Sequence, residues 1–168
     1  VVTTTTRGLR PGEVDGTDYH FVTDAAFDAL LTEDAFLEHA NVHGSRYGTT
    51  RQAFQKSLDG ADVVLLEIDV QGAQTLRAIL DDRCAEIFIL PPSLQELRAR
   101  LAGRKSEGED AMRVRMNNAV EEMAFASTYD YVIVNHDIKQ AILDIESVVK
   151  AERSRTVRQQ ALLQSLDI

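Results

Sequence analysis

Three short apolar runs, Val63–Ile68, Glu86–Leu90 and Tyr131–Val134, alternate with helix-length segments and constrain this chain more than any other feature. They are apolar throughout instead of alternating, which is the pattern of strands covered on both faces, and such strands belong to parallel sheets joined by crossover helices. The expected class is therefore α/β. Between the first two runs a helix is predicted from about Gln71 to Leu80. After the second, Ser93 opens a capping box with Glu96, and Leu94, Leu97 and Leu101 share one face. A long helix follows to about Ser127, and a last one starts near Ile138 with Ile142, Ile145 and Val149 on its inner face. Leu162, Leu163 and Leu166 give the C-terminal stretch helical spacing; it packs either on the body or on a partner such as a second copy, and spacing leaves both open.

Before Gly60 the character differs, with short segments and turns. Tyr19–Val22 reads as a strand, and Thr23 caps a helix running through Phe27, Leu30 and Leu31. A second helix follows Thr49 or Thr50, with Phe54 and Leu58 on one face and Gly60 at its end. Gly103–Asp110 is charged, contains glycine and has no core-building residue, so it is predicted to be a mobile loop. With 168 residues, 44% of them hydrophobic, one domain with a substantial core is expected.

The charge balance narrows the partners. Twenty-seven acidic against eighteen basic residues give a formal net charge of −9, which argues against nucleic acid or an anionic membrane. An anion site must then be local. The one cysteine, Cys84, excludes an intramolecular disulfide and suits a reducing compartment, where it reads as a small hydrophobe. No apolar run approaches a membrane span and no signal-peptide layout opens the chain, so a cytoplasmic location is expected.

The local anion site lies near the start. Arg7 and Arg10 stand three apart on a loop carrying Gly8, Gly12 and Gly16, and arginine forks onto phosphate oxygens bidentately. Tyr19 and Tyr47 either donate phenolic hydrogen bonds to the same phosphate or are core tyrosines with satisfied hydroxyls. Glu38, straight after Phe36-Leu37, is either a strand-end surface carboxylate or a pocket carboxylate. In a pocket it can accept from the N1 hydrogen and exocyclic amine of guanine, a pair of donors that adenine lacks. Glu67 and Asp69 close the most apolar strand, where ligands bind in open α/β sheets and where a base, a ribose or magnesium can be held. Gly72 opens the next helix beside them. Arg104, Lys105, Arg113 and Arg115 form a basic cluster that is either a lid over phosphates or an ordinary charged helix start. Asn135 ends a strand, where an amide can meet a nucleobase; His39 and His43 lack a third metal ligand.

In order, Thr5-Thr6-Arg7, Arg10-Pro11-Gly12-Glu13, Asp18-Tyr19, Phe36-Leu37-Glu38, Tyr47-Gly48-Thr49, Leu66-Glu67-Ile68-Asp69, Gln71-Gly72, Ile89-Leu90-Pro91-Pro92-Ser93 and Tyr129–Asn135 closely resemble the guanylate kinase family, from Thr3 to about Arg155. The resemblance implies a P-loop nucleoside-monophosphate-kinase-like parallel sheet with a GMP-binding lobe (4–59), a core (60–102 and 119–168) and a lid (103–118). It implies phosphorylation of GMP, and of dGMP, by ATP with Mg2+ in purine nucleotide metabolism. Arg7, Arg10, Tyr19 and Tyr47 would hold the GMP phosphate, with Glu13 bracing the arginines. Glu38, Thr49 and Asp69 would meet guanine, with Glu67 beside them, and Thr3 stands where the family commonly has a base-contacting serine. Arg104 and Arg115 would close on the transferring phosphate, and Asn135 would lie near adenine. Lys105 replaces a usual glycine and His136 a usual aspartate.

The family's opening strand and G-x-x-x-x-G-K-[ST] loop have no counterpart in this sequence, and Gly103-Arg104-Lys105-Ser106 is no substitute, since it follows a helix and lacks the earlier glycine. The expectation is that the donor-phosphate cradle lies upstream of Val1 and that the chain as given is inactive alone. The alternative is a non-catalytic guanylate-kinase-like module that binds GMP or protein. The joint presence of Arg7, Arg10, Glu13, Tyr19, Glu38, Tyr47 and Asp69 favours the enzyme.

Overall fold

The computed structural model describes residues 1–42, 44–102 and 109–166. Two compact units emerge, Val1–Cys84 and Ala85–Ile168.

The first unit is built on a four-stranded sheet with spatial order β2, β1, β4, β3, where β1 is Thr3–Thr5, β2 Tyr19–Phe21, β3 Phe36–Val42 and β4 Ser45–Thr50. β1 runs parallel to β2 and antiparallel to β4, and β3 and β4 form an antiparallel hairpin from Val42↔Ser45 to Phe36↔Thr50. Gly44 in that turn has φ +80°, a value that glycine reaches without a Cβ penalty. A bulge falls between Phe36 and Glu38. Bulges re-aim side chains, and here Phe36, Leu37 and Glu38 are buried in succession, which strict alternation on a one-sided sheet would not give.

Helix α1 (Asp24–Thr32) starts as expected, with Thr23 Oγ1 accepting from the Ala26 N–H. Its Phe27 is 1% exposed and stacks on Phe36 at 4.4 Å between ring centroids. Arg46 covers Phe27 at 4.7 Å from the ring and pairs with Asp24 and Asp28, so β4 is riveted to α1 by stacking and charge together. Helix α2 (Arg51–Leu58) is capped by Thr50 and ends at Asp59, one residue before the expected Gly60. Helix α3 (Val70–Leu80) is capped by Asp69 and packs on β3 through buried Ala73 and Leu76.

Val63–Ile68 corrects the sequence expectation: it takes no regular secondary structure. A strand exists through its ladder, and this segment has none among the described residues; Leu65 O accepts from the Val1 amine at 3.3 Å. Before Gly60 four short strands form, three more than the one expected at Tyr19–Val22.

The second unit contains β5 (Ile87–Leu90) and β6 (Tyr131–Val134), paired in parallel with Ile87 opposite Tyr131, as the apolar runs foretold. Glu86 lies just outside the strand, its N–H donating to Asp130. Cover on both faces is incomplete, because Ile89, Val132 and Val134 are exposed in a sheet of only two described strands. Helices α4 (Leu94–Ala102) and α5 (Glu109–Met123) stand between the strands in sequence, followed by α6 (Ile138–Arg153) and α7 (Gln160–Ser165). Ser93 caps α4 through the Glu96 N–H, while the Glu96 carboxylate turns to Arg100. Helix α5 begins within the segment expected to be a loop and gives way to a 3-10 turn at Ala124, short of the expected Ser127. Residues 103–108 of that loop lie outside the described residues, as does His43. Among the described residues no helix is long and apolar enough to cross a membrane.

Sequence reading did not foresee the ionic knot of this unit. Glu152, near the end of α6, is 7% exposed and accepts from the Tyr131 hydroxyl, Arg155 and Arg158. Burial alone would raise its pKa, but those donors overcome burial and hold it below the ordinary value.

Two outcomes are expected. Phe27→Ala should cost about 3–5 kcal/mol by cavity formation, read as a lowered denaturant midpoint. Because the Glu152 pKa is lowered, its contribution is present above about pH 4.5 and lost as pH falls through the folded value. Glu152→Gln should therefore flatten the acid limb of stability against pH, measured by denaturation on both sides of that point; an unchanged limb would contradict the knot's role.

Candidate functional site

The register of the first sheet gathers the expected acceptor-site residues. Thr3 pairs with Tyr19 and Thr5 with Tyr47, which brings the two tyrosines to the loop that leaves β1. Their rings meet edge to face at 6.0 Å. Arg7, just beyond β1, lies 5.3 Å from the Tyr19 ring and 5.6 Å from Phe21.

Arg7 forks onto Glu13 with bonds of 3.0 and 2.7 Å, and also donates to Gly8 O at 2.7 Å. Glu13 Oε2 accepts in addition from the Arg10 N–H at 2.8 Å. One carboxylate thus fixes one arginine by its side chain and the other by its backbone. The Glu13 bond, with help from Tyr47 and against burial, raises the Arg7 pKa further; Arg7 in turn holds the Glu13 carboxyl below its usual range, aided by the Arg10 N–H. Arg7 Nε is buried without a hydrogen-bond partner among the described residues, so one donor is still open. The Arg10 residue is exposed.

Two carboxylates that were given no role from the sequence shape this loop. Asp18 accepts from the Val14 N–H at 2.7 Å and Asp15 from the Phe21 N–H at 2.9 Å, while Gly12 and Gly16 take φ values of +92° and +74°. Aspartates bonding to nearby backbone beside glycines are a legible turn signal. The loop is therefore fixed by its own side chains.

Deeper in the unit, Glu38 is 4% exposed, and its Oε1 accepts from the Thr49 N–H at 2.9 Å. Of the alternatives left open by sequence, the pocket carboxylate is the one found. Burial pushes its pKa up, and Thr49 and His39 offset this in part while the Asp69 carboxylate adds to it. Thr49 is fully buried, and its Oγ1 sits beside the carboxylate outside hydrogen-bonding geometry, with no partner among the described residues. Asp69 caps α3 by accepting from the Gly72 N–H at 2.9 Å. The half-buried Asp69 carboxylate and the unpartnered Thr49 hydroxyl stand beside the buried Glu38 carboxylate. That is an acceptor set suited to N–H donors of a planar base.

The remaining expected residues are placed less tightly. Glu67 is exposed, and its charge, after burial, raises the Tyr19 pKa. In the second unit Arg115 is half-buried on α5, and Arg113 pairs with Asp110 on the same helix. Asn135 is fixed through its backbone, its N–H donating to Leu90 O at 2.8 Å and its carbonyl accepting from Arg100 at 3.0 Å. Arg104 and Lys105 lie outside the described residues.

Magnesium was expected with ATP. No group of three or more His, Cys, Asp or Glu among the described residues could hold a metal ion. Glu38 and Asp69 each accept one backbone N–H on a single oxygen, and two carboxylates fall short of the six or more oxygen ligands of a dedicated cation cage.

Comparison with known proteins agrees with this geometry. A family model described as guanylate kinase matches residues 1–152. A guanylate kinase of Sodalis glossinidius is 48% identical over 155 residues, covering 92% of this chain and 74% of its own length. One from Escherichia coli K12 is 46% identical over 158 residues, covering 94% and 76%. The crystal structure of guanylate kinase from Anaplasma phagocytophilum superposes with a TM-score of 0.83 at 36% identity, over 98% of this chain and 82% of that one.

The raised Glu38 pKa has a testable sign. Its contribution to stability is fully present below about pH 4.5 and is lost as pH rises through the folded value, because the fold prefers the protonated form. Glu38→Gln should remove that decline, so that the variant gains on the parent between mildly acidic and neutral pH in denaturant titrations. An equal decline in both proteins would contradict the assignment.

Proposed function

The chain belongs to the guanylate kinase family, and on that premise we propose that it takes part in ATP-dependent phosphorylation of GMP, and of dGMP, to the diphosphate. In this reading the first unit supplies the acceptor site. An oxygen of the GMP phosphate attacks the γ-phosphorus of ATP, the bond from that phosphorus to the β-γ bridging oxygen breaks, and GDP and ADP leave. The observation that carries the reading is the buried Glu38 carboxylate, anchored on Thr49 in the same sheet that assembles Arg7, Tyr19 and Tyr47.

The roles follow from the chemistry of each group. Glu38 accepts from N1–H and the amine of guanine, Thr49 Oγ1 and Thr3 lie on the base side, and Asp69 adds a second carboxylate. Adenine has no N1 hydrogen and only a C–H at C2, its amine standing on C6, so it cannot offer the same adjacent pair of donors and burial of Glu38 penalises it. Arg10, Arg7 Nε and the hydroxyls of Tyr19 and Tyr47 take the phosphate, while Glu13 keeps Arg7 in place. Arg104, Arg115 and Asn135 are proposed for the ATP side on the family resemblance, as is the division into GMP lobe, core and lid. Magnesium supplies charge neutralisation on the ATP phosphates when bound, and arrives with them.

Equilibrium binding tests the acceptor half. By calorimetry, GMP should bind and AMP should bind at least about tenfold more weakly, as expected when a buried carboxylate loses its donors. Arg10→Ala should weaken GMP by about 10- to 100-fold, the scale of a charge-assisted contact. Since guanine donors favour the ionised Glu38, GMP binding at mildly acidic pH should release protons that Glu38→Gln does not release. Equal affinity for GMP and AMP would overturn the proposal.

A further inference from the structure

We infer that Gly72 is a positioning residue for base selection: it keeps open the space in which the Glu38 carboxylate faces guanine. The inference rests on the reading of Glu38 as the guanine-binding carboxylate. A Cβ at position 72 would stand 2.6 Å from Glu38 Oε2, 3.3 Å from Glu38 Cδ and 3.2 Å from Asp69 Oδ1. The first distance is one that real Cβ atoms essentially never show, so something has to move.

Three facts decide what moves. Gly72 lies in the first turn of an eleven-residue helix, and its φ is not positive, so the backbone there does not itself require glycine. Alanine is the better helix former, and glycine at this position is a local disadvantage that only a neighbour can explain. The neighbour is a side-chain end and not backbone, so the first adjustment falls on the Glu38 carboxylate while the fold persists. That carboxylate has little freedom, being 4% exposed and tied through Oε1 to Thr49 N–H at 2.9 Å. Glu38 has no hydrogen bond on Oε2 among the described residues, which leaves that oxygen with accepting capacity for an incoming N–H. Pushing Oε2 away turns the plane of the carboxylate and breaks the parallel pair of acceptors that distinguishes guanine's two donors from one. The carboxylate-bearing strand β3 and helix α3 are thus matched at one point of near contact, and glycine is the side of that match that is hidden in the helix.

The test compares GMP with inosine monophosphate, which keeps N1–H but lacks the exocyclic amine, on the parent chain and on Gly72→Ala. The parent should prefer GMP, and Gly72→Ala should reduce the GMP-to-inosine-monophosphate affinity ratio at least about tenfold with little change in melting temperature, the loss of one charge-assisted hydrogen bond. An unchanged ratio in Gly72→Ala overturns the inference and leaves the guanine reading intact. A parent that does not prefer GMP overturns the guanine reading, and the inference with it. Should Gly72→Ala lower the melting temperature markedly, the same substitution in a Glu38→Ala background decides: loss of the destabilisation there supports a clash with the carboxylate, and persistence contradicts it.

Discussion

A carboxylate with almost no access to water is an expense that a fold has to organise around. Glu38 is held by one backbone N–H from Thr49, faces a second carboxylate at Asp69, and lies against the first turn of α3 where only glycine leaves room. These neighbours come from two elements, Thr49 from β4 and Asp69 with Gly72 from the start of α3, and each element is placed for reasons that do not involve the charge. The hairpin register puts Thr49 opposite Glu38, the bulge after Phe36 turns Glu38 inward, and the apolar face of α3 brings Asp69 and Gly72 against β3. The ordinary packing of the unit thus builds an acceptor pocket whose charge is under-satisfied until N–H donors arrive.

The phosphate side follows the opposite logic. There the charges are already paired, with Arg7 committed to Glu13 and the loop closed by Asp15 and Asp18. A pre-paired arginine costs little reorganisation when a dianion binds, and the exposed Arg10 residue, held by its backbone on the same Glu13, supplies free positive charge. In the proposed reading, the buried Glu38 acceptor faces the base, and the Arg7–Glu13 pair, with Arg7 Nε still open, faces the phosphate.

Much of this was legible in the residues before the coordinates. Helix starts at Thr23, Thr50 and Ser93 followed from hydroxyl caps, and the parallel pairing of β5 with β6 from apolar runs. The converging site residues were legible too, because motif order carried them. What failed had physical reasons. Val63–Ile68 is as apolar as a strand, but apolarity does not supply the ladder partners that make one. The short strands β1, β3 and β4 carry threonine, glycine and histidine, so no period stands out, and only their pairing defines them. Glu152 carries no sequence mark of its burial, since its partners are a strand tyrosine and arginines beyond the helix. The near contact of Gly72 with Glu38 joins positions 34 apart and has no sequence signature beyond the glycine itself.

The central claim is that the buried Glu38 carboxylate recognises guanine through paired N–H donors. Proton NMR of the bound nucleotide reads this most directly. The account predicts that the N1 imino proton of GMP, lost to exchange in free solution, becomes visible and shifted downfield in the complex, and that Glu38→Gln weakens or removes that signal. A GMP complex whose imino proton exchanges as it does in water, with Glu38 unperturbed, would contradict it.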